Sequence, residues 1–421
     1  MKKIILLGVV FILSILLCTT ADASQTIQAK IGNRFFDTLE DAIHAASSKD
    51  IITLTSDVVV DNTVEIKKSV NINLNNHTIS ADEQVFLIQG GSLNLSGTGT
   101  IKETKPNYGA IILKGSDDPS QKDFSTVYVD KGITLQGWSG IFINHHNKTG
   151  YGILVNLNGN INAINDINGE TGIGIYVNGY IQNQANAPII NLSKTANITS
   201  TGNGIYSAGY ATYNINGANI SGVESGLAIK SGIFNILNAN IIGIGENKTP
   251  TTGNNNGINP TGVTIQIESN PGYSGDIELN IKNGTFTSKN SHVIYEYTVN
   301  NNNTAVKNID ISGGTFISKS NNTVFLLSNS LKNINTKFIS GGTYSSDPKD
   351  YLKSGYTATL NNDMYKVTNS TISTFLDNND NNSNSALKIT TILSLLITLG
   401  LIIYFNRNYI FNFFYSIKKN R

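Results

Sequence analysis

Short apolar-alternating segments return along this chain at a nearly fixed step, and that recurrence narrows the possible folds most. Ile52-Thr53-Leu54 comes back as Ile72-Asn73-Leu74 and then as Leu93-Asn94-Leu95, at steps of about 20 and 21 residues. Ile111-Ile112-Leu113 and Ile133-Thr134-Leu135 follow. A second ladder runs through Asn197-Ile198, Asn219-Ile220 and Asn240-Ile241. A third sets a glycine before the alternation: Gly140-Ile141-Phe142-Ile143, Gly174-Ile175-Tyr176-Val177, Gly204-Ile205-Tyr206 and Gly226-Leu227-Ala228-Ile229. Late in the chain Ile281-Lys282-Asn283-Gly284-Thr285-Phe286 recurs as Ile311-Ser312-Gly313-Gly314-Thr315-Phe316 and Ile339-Ser340-Gly341-Gly342-Thr343-Tyr344. There the step lengthens to about 30 and 28 residues, so late coils carry longer loops.

Strands this short cannot bury their apolar side alone, but stacked coils bury it in one continuous column. The pattern therefore predicts an all-β fold, a parallel β-helix solenoid over residues 51–345. On the order of 12 coils, about 4.8 Å apart, would extend it to roughly 60 Å. An antiparallel sandwich is the alternative; it would place turns about every 8–12 residues and leave no 20-residue echo. Composition fits the solenoid. The chain has 59 Asn and 39 Gly in 421 residues, suited to corners with positive φ, and stacked Asn can bond through their amides.

The ends of the stack need covers. Within residues 24–50, Asp37-Thr38-Leu39-Glu40-Asp41 carries an N-cap signature, and Leu39, Ala42, Ile43 and Ala46 share one face of the helix it starts. Residues 346–368 close the other end with a short β element around Asn361-Asn362-Asp363.

Outside the stack the sequence reads as addresses. Residues 1–23 form a signal peptide: Lys2 and Lys3, an apolar run from Ile4 to Leu17, then Ala21-Asp22-Ala23. The one cysteine, Cys18, lies there, so disulfides, Cys-ligated zinc and Cys nucleophiles are excluded from the remainder. Residues 369–386 form an Asn/Ser-rich linker and 387–405 a transmembrane helix at the short limit of length. Residues 406–421 form a basic tail with Arg407, Lys418, Lys419 and Arg421. The positive-inside bias puts this tail in the cytoplasm and the bulk of the chain outside. The exported part then carries about −5, although the whole chain is +1. No Arg stands between Arg34 and Arg407, which argues against nucleic acid as a partner.

Two passages carry a family resemblance. Ala29-Lys30-Ile31-Gly32 with Thr38-Leu39-Glu40-Asp41-Ala42, followed by Asp50-Ile51-Ile52-Thr53-Leu54, resembles the opening of secreted bacterial right-handed β-helix proteins of the pectin-lyase-like superfamily. Ile339-Ser340-Gly341-Gly342-Thr343-Tyr344 with Asp347, Tyr351 and Gly355-Tyr356 is similar to their closing module. The likeness covers roughly residues 26–368. It implies the right-handed fold and a bacterial cell surface, and its members include both enzymes and non-catalytic proteins. The LPxTG-type sortase motif frequent among them is missing here.

Chemistry is sparse. Lyases of that fold use clustered carboxylates for calcium with an Arg or Lys base, and the stack has no Arg. Hydrolases pair Asp residues with a Gly-His-Gly segment, and neither is found. Asp117 and Asp118, with Asp123 nearby, are the candidate cation ligands, in a loop that reads equally well as solvated. Trp138, His145, His146 and Tyr151 are the candidate ligand-binding patch, aromatics for stacking a glycan. Gly-rich stretches lack a Gly-Lys-Ser/Thr ending, so nucleotide binding has no support, and no cofactor is expected. The expected protein is a membrane-anchored surface scaffold for adhesion or display, meeting a glycan or a host or neighbouring-cell surface. A carbohydrate-active enzyme, either polysaccharide lyase or glycoside hydrolase, is the alternative.

Overall fold

The computed structural model describes residues 27–370, except 146–149, 180–183, 249–259, 271, 274, 299–305 and 329–335. The chain divides into two compact units, residues 1–367 and 368–421, and nearly everything described belongs to the first. The signal-peptide, transmembrane and tail expectations, and His146, lie outside the described residues. Among the described residues no helix is long and apolar enough to cross a membrane.

The first unit is an all-β, mostly parallel solenoid, consistent with a β-helix. Its coils expose three faces. Face A starts at Ile51–Leu54 and continues through Ser69–Asn73, Ser92–Ser96, Ser125–Val129, Ile153–Leu157 and Ile189–Leu192. Face B starts at Val58–Val59 and continues through His77–Ala81, Gly99–Glu103, Ile133–Gly137, Asn160–Ala163 and Asn197–Ser200. Each strand bonds in parallel to its counterpart one coil on. In the next two coils faces A and B are one bent strand each, Thr212–Gly222 and Gly232–Gly243, with a register slip at Asn216. Among the described residues face C is a sheet of ten parallel strands, from Val64–Ile66 to Phe325–Leu327. Among the described residues face C has ten rungs where roughly twelve coils were expected, because long stretches, such as that between Gly243 and Val263, consume chain without adding a strand.

Alternation explains why these segments are strands. Side chains point to opposite faces in turn, so Ile52 and Leu54, Val70 and Ile72, and Leu93 and Leu95 enter the core while Thr53, Asn71 and Asn94 face outward. These inward side chains have 0% exposure, and each aliphatic is worth about 1.5–3 kcal/mol of burial. The glycine ladder has a steric cause. Gly140, Gly174, Gly204 and Gly226 lie against the Ile161, Ile198, Ile220 and Ile241 column of face B, and a Cβ would meet those methyls at 2.3–2.5 Å. Glycine lets face C close onto face B.

Both ends of the stack are covered. Helix α1 (Leu39–Ala45) has Thr38 as N-cap, its Oγ1 accepting from Asp41 N at 3.1 Å. Leu39, Ala42 and Ile43 are buried beneath it. Lys68 Nζ, from the first coil, donates to the carbonyls of His44 and Ala46, placing a cation at the helix C-terminus. Ala29–Ile31 adds an antiparallel strand to the edge of Ile51–Leu54. At the other end Met364–Asn369 pairs antiparallel with Thr343–Tyr344, just after Asn362 and Asp363, both at positive φ. A reversed strand at each end interrupts parallel extension of the sheet.

Candidate functional site

The outward side of face C carries an aromatic row and a closed polar cluster. Phe142, Tyr176 and Tyr206 occupy one register position on successive strands. Their rings stack with centroids 4.8 Å and 5.4 Å apart, at interplanar angles of 24° and 9°. Trp138 tilts against Phe142 and Tyr176 at 6.4 Å and 5.5 Å. Glu103 fixes Trp138: its Oε2 accepts from Trp138 N at 2.9 Å, and its Oε1 accepts from Gly109 N and Tyr108 N. The carboxylate fits because the facing residue is Gly137, whose Cβ would stand 2.2 Å from Glu103 Oε2. Burial outweighs the backbone donors and pushes the Glu103 carboxyl above its ordinary pKa.

One rung beyond Tyr206 the row reaches Ala228. That small side chain leaves room for Lys230, two residues on, and for Tyr273 from the following insertion. Lys230 Nζ donates to Glu268 Oε2 at 2.5 Å and lies 5.3 Å and 5.4 Å from the ring centres of Tyr206 and Tyr273. Tyr297 donates to the same carboxylate oxygen, and Asn270 Nδ2 donates to Glu268 Oε1 at 2.6 Å. Gln266 Nε2 donates to the Tyr297 hydroxyl at 2.9 Å. Lys230 and Glu268 have 0% side-chain exposure. Desolvation pulls the Lys230 pKa down against the attraction of Glu268, and raises those of Tyr206 and Tyr297; Tyr273 is pushed up to about 12. Nearby, Glu224 accepts from Thr171 Oγ1 at 2.7 Å, and burial raises its carboxyl too. Both oxygens of Glu268 are engaged by protein donors, Oε2 by Lys230 and Tyr297 and Oε1 by Asn270.

Faces A and B are different. Outward asparagines bond rung to rung along face A from Asn156 through Asn191, Asn214, Asn235 and Asn280 to Asn308, at 2.9–3.2 Å. Face B has a parallel row, Asn160, Asn197, Asn219 and Asn240, at 2.9–3.3 Å. Thr100 and Thr134 precede that row in register, and Thr285 and Thr315 follow it. A shallow depression of about 350 Å³ lies at the A–B corner beside Asn214, Asn235, Asn280 and the exposed Leu237. These rows offer repeated amide and hydroxyl groups without charge.

The residues singled out in the sequence fall in separate places. Trp138 belongs to the aromatic row. His145 ends the strand Ser139–His145, and His146 lies outside the described residues. Tyr151 does not join Trp138. It is buried with Ala187 and Tyr210, in a loop bridged to Ser116, on the way from face C to face A. The rings beside Trp138 are those of Phe142 and Tyr176, with Tyr206 next along the row, and the signal for them was the residue after each Gly-Ile pair. Asp117 is exposed; Asp118 Oδ1 accepts from Ser120 N at 2.8 Å, which holds its own turn and lowers its pKa. Among the described residues no three His, Cys, Asp or Glu side chains are grouped to hold a metal. The cluster of Lys230, Glu268 and Tyr297 had no sequence reading, because an insertion separates Lys230 from Glu268.

No protein family, curated protein or solved structure matches this chain.

Proposed function

We propose that this chain is an exported, membrane-anchored surface protein whose right-handed parallel β-helix, of the pectin-lyase-like kind, serves as a non-enzymatic scaffold for adhesion or display. The signal-peptide pattern, the apolar segment 387–405 and the basic tail support the topology. One observation carries the functional reading: the rows of outward asparagine on faces A and B are uncharged and bonded to one another. Such a surface suits recognition of a neutral polar partner such as a glycan, and supplies no acid or base to cleave it.

The test is performed on intact cells carrying the full chain with a C-terminal tag. Added protease should remove residues 24–385 and spare the tag, and these cells should adhere to glycan-coated surfaces better than cells lacking the protein. Digestion of the tag with residues 24–385 left intact would reverse the orientation. Equal adhesion would remove the scaffold role. A second reading, a carbohydrate-active enzyme, is favoured by the convergence of Lys230, Glu268 and Tyr297 on face C. Their enclosure weighs against it.

A further inference from the structure

We propose that Lys230 and Asn270 react to form an intramolecular isopeptide cross-link between adjacent coils, with Glu268 as the catalytic carboxyl. This goes beyond the scaffold reading and does not depend on any ligand.

The geometry brings an amine, an amide and a carboxyl together. Lys230 Nζ sits on Glu268 Oε2 at 2.5 Å and Asn270 Nδ2 on Glu268 Oε1 at 2.6 Å. Nucleophile and leaving group thus share one carboxyl group, which can take a proton from the first and give it to the second. Asn270 Oδ1 accepts from Gly272 N at 2.8 Å, a backbone donor on the oxygen that gains charge when the amide carbon is attacked. Water is excluded from the amine and the carboxyl, with Lys230 and Glu268 at 0% side-chain exposure and the rings of Tyr206 and Tyr273 beside the amine, while Asn270 is half-buried. Burial also lowers the Lys230 pKa, which favours the neutral, nucleophilic amine.

The step balances on these three side chains. Lys230 Nζ attacks Asn270 Cγ and forms the new C–N bond. Glu268 accepts a proton from Nζ and passes one to Asn270 Nδ2. The Cγ–Nδ2 bond breaks, ammonia leaves, and an amide joins the two side chains. No electron is gained or lost. The link would tie the end of face C strand Ser225–Ile229 to the end of its neighbour Val263–Ser269, a covalent tie in a chain with no thiol after Cys18.

Mass spectrometry of the purified full-length protein under denaturing conditions decides the matter. The expected intact mass is lower than that of the processed sequence by one ammonia, and a digest should contain a branched peptide joining Lys230 to Asn270. Lys230→Met, Asn270→Ala and Glu268→Gln should each restore the missing mass and abolish the branched peptide. The wild-type measurement stands even if a variant fails to fold. A full-mass wild-type chain with two separate peptides overturns the proposal. So does an ammonia loss mapped to a succinimide at an Asn-Gly pair, such as Asn283-Gly284, without the branched peptide.

Discussion

Asn219 donates to Asn197 and its own carbonyl accepts from Asn240, so it sits inside a row whose direction is set by its neighbours. Replacing it by Ala breaks two exposed side-chain bonds, which should cost about 1 kcal/mol in all. Asp should be worse than Ala at neutral pH, because its anionic oxygen faces the Asn197 carbonyl oxygen instead of donating to it. Denaturant midpoints of the two variants at neutral and acid pH check this; equal midpoints for Ala and Asp would mean that the row is not ordered as described. Glu103 makes a second residue-scale prediction. Its folded pKa is raised, so the folded state holds the proton more tightly than the unfolded one. Its contribution is full below the unfolded value near 4.5 and is lost as pH rises through the folded value. Glu103→Gln should therefore lose less stability than wild type between about pH 4 and pH 8. Parallel midpoint curves would show that Glu103 titrates the same way in both states.

At the scale of elements, α1 depends on a side-chain cap. Thr38→Ala removes the acceptor for Asp41 N and should cost about 1 kcal/mol, read as a lower denaturation midpoint. Gly204→Ala should cost about 1–3 kcal/mol, since the new methyl would stand 2.4 Å from Ile220 Cγ2 and 2.6 Å from the Gly226 carbonyl. An unchanged midpoint would mean that faces B and C do not approach as closely as the glycine column requires. Much of this level was legible in the sequence. The steps of about 20 residues are the distance from Ile52 to Ile72 in adjacent rungs, and the Thr38 cap and the face of Leu39, Ala42 and Ile43 follow from helical spacing. The role of asparagine was only half legible. Among the described residues Asn75, Asn76, Asn186 and Asn362 take positive φ as corners should, while a larger set forms the outward rows. The pairing of Lys230 with Glu268 was hidden because contact across coils depends on insertion length, and nothing in the periodicity reports how a long insertion folds back.

For the whole molecule, the proposed scaffold role rests on the division of side chains among the faces. Faces A and B present amide and hydroxyl rows, and on face C the Lys230–Glu268 pair lies beside the Tyr206 and Tyr273 rings, bonded within the wall. A surface that works by repetition tolerates loss of any one rung, whereas a catalytic centre fails when one group is lost. The most direct measurement incubates the purified full-length protein with a panel of neutral and acidic polysaccharides and follows new reducing ends and unsaturated uronate. The account predicts that some of these chains bind and that none is cut, in wild type and in Lys230→Met alike. Turnover by the wild type that disappears in Lys230→Met would contradict it and make face C an active site.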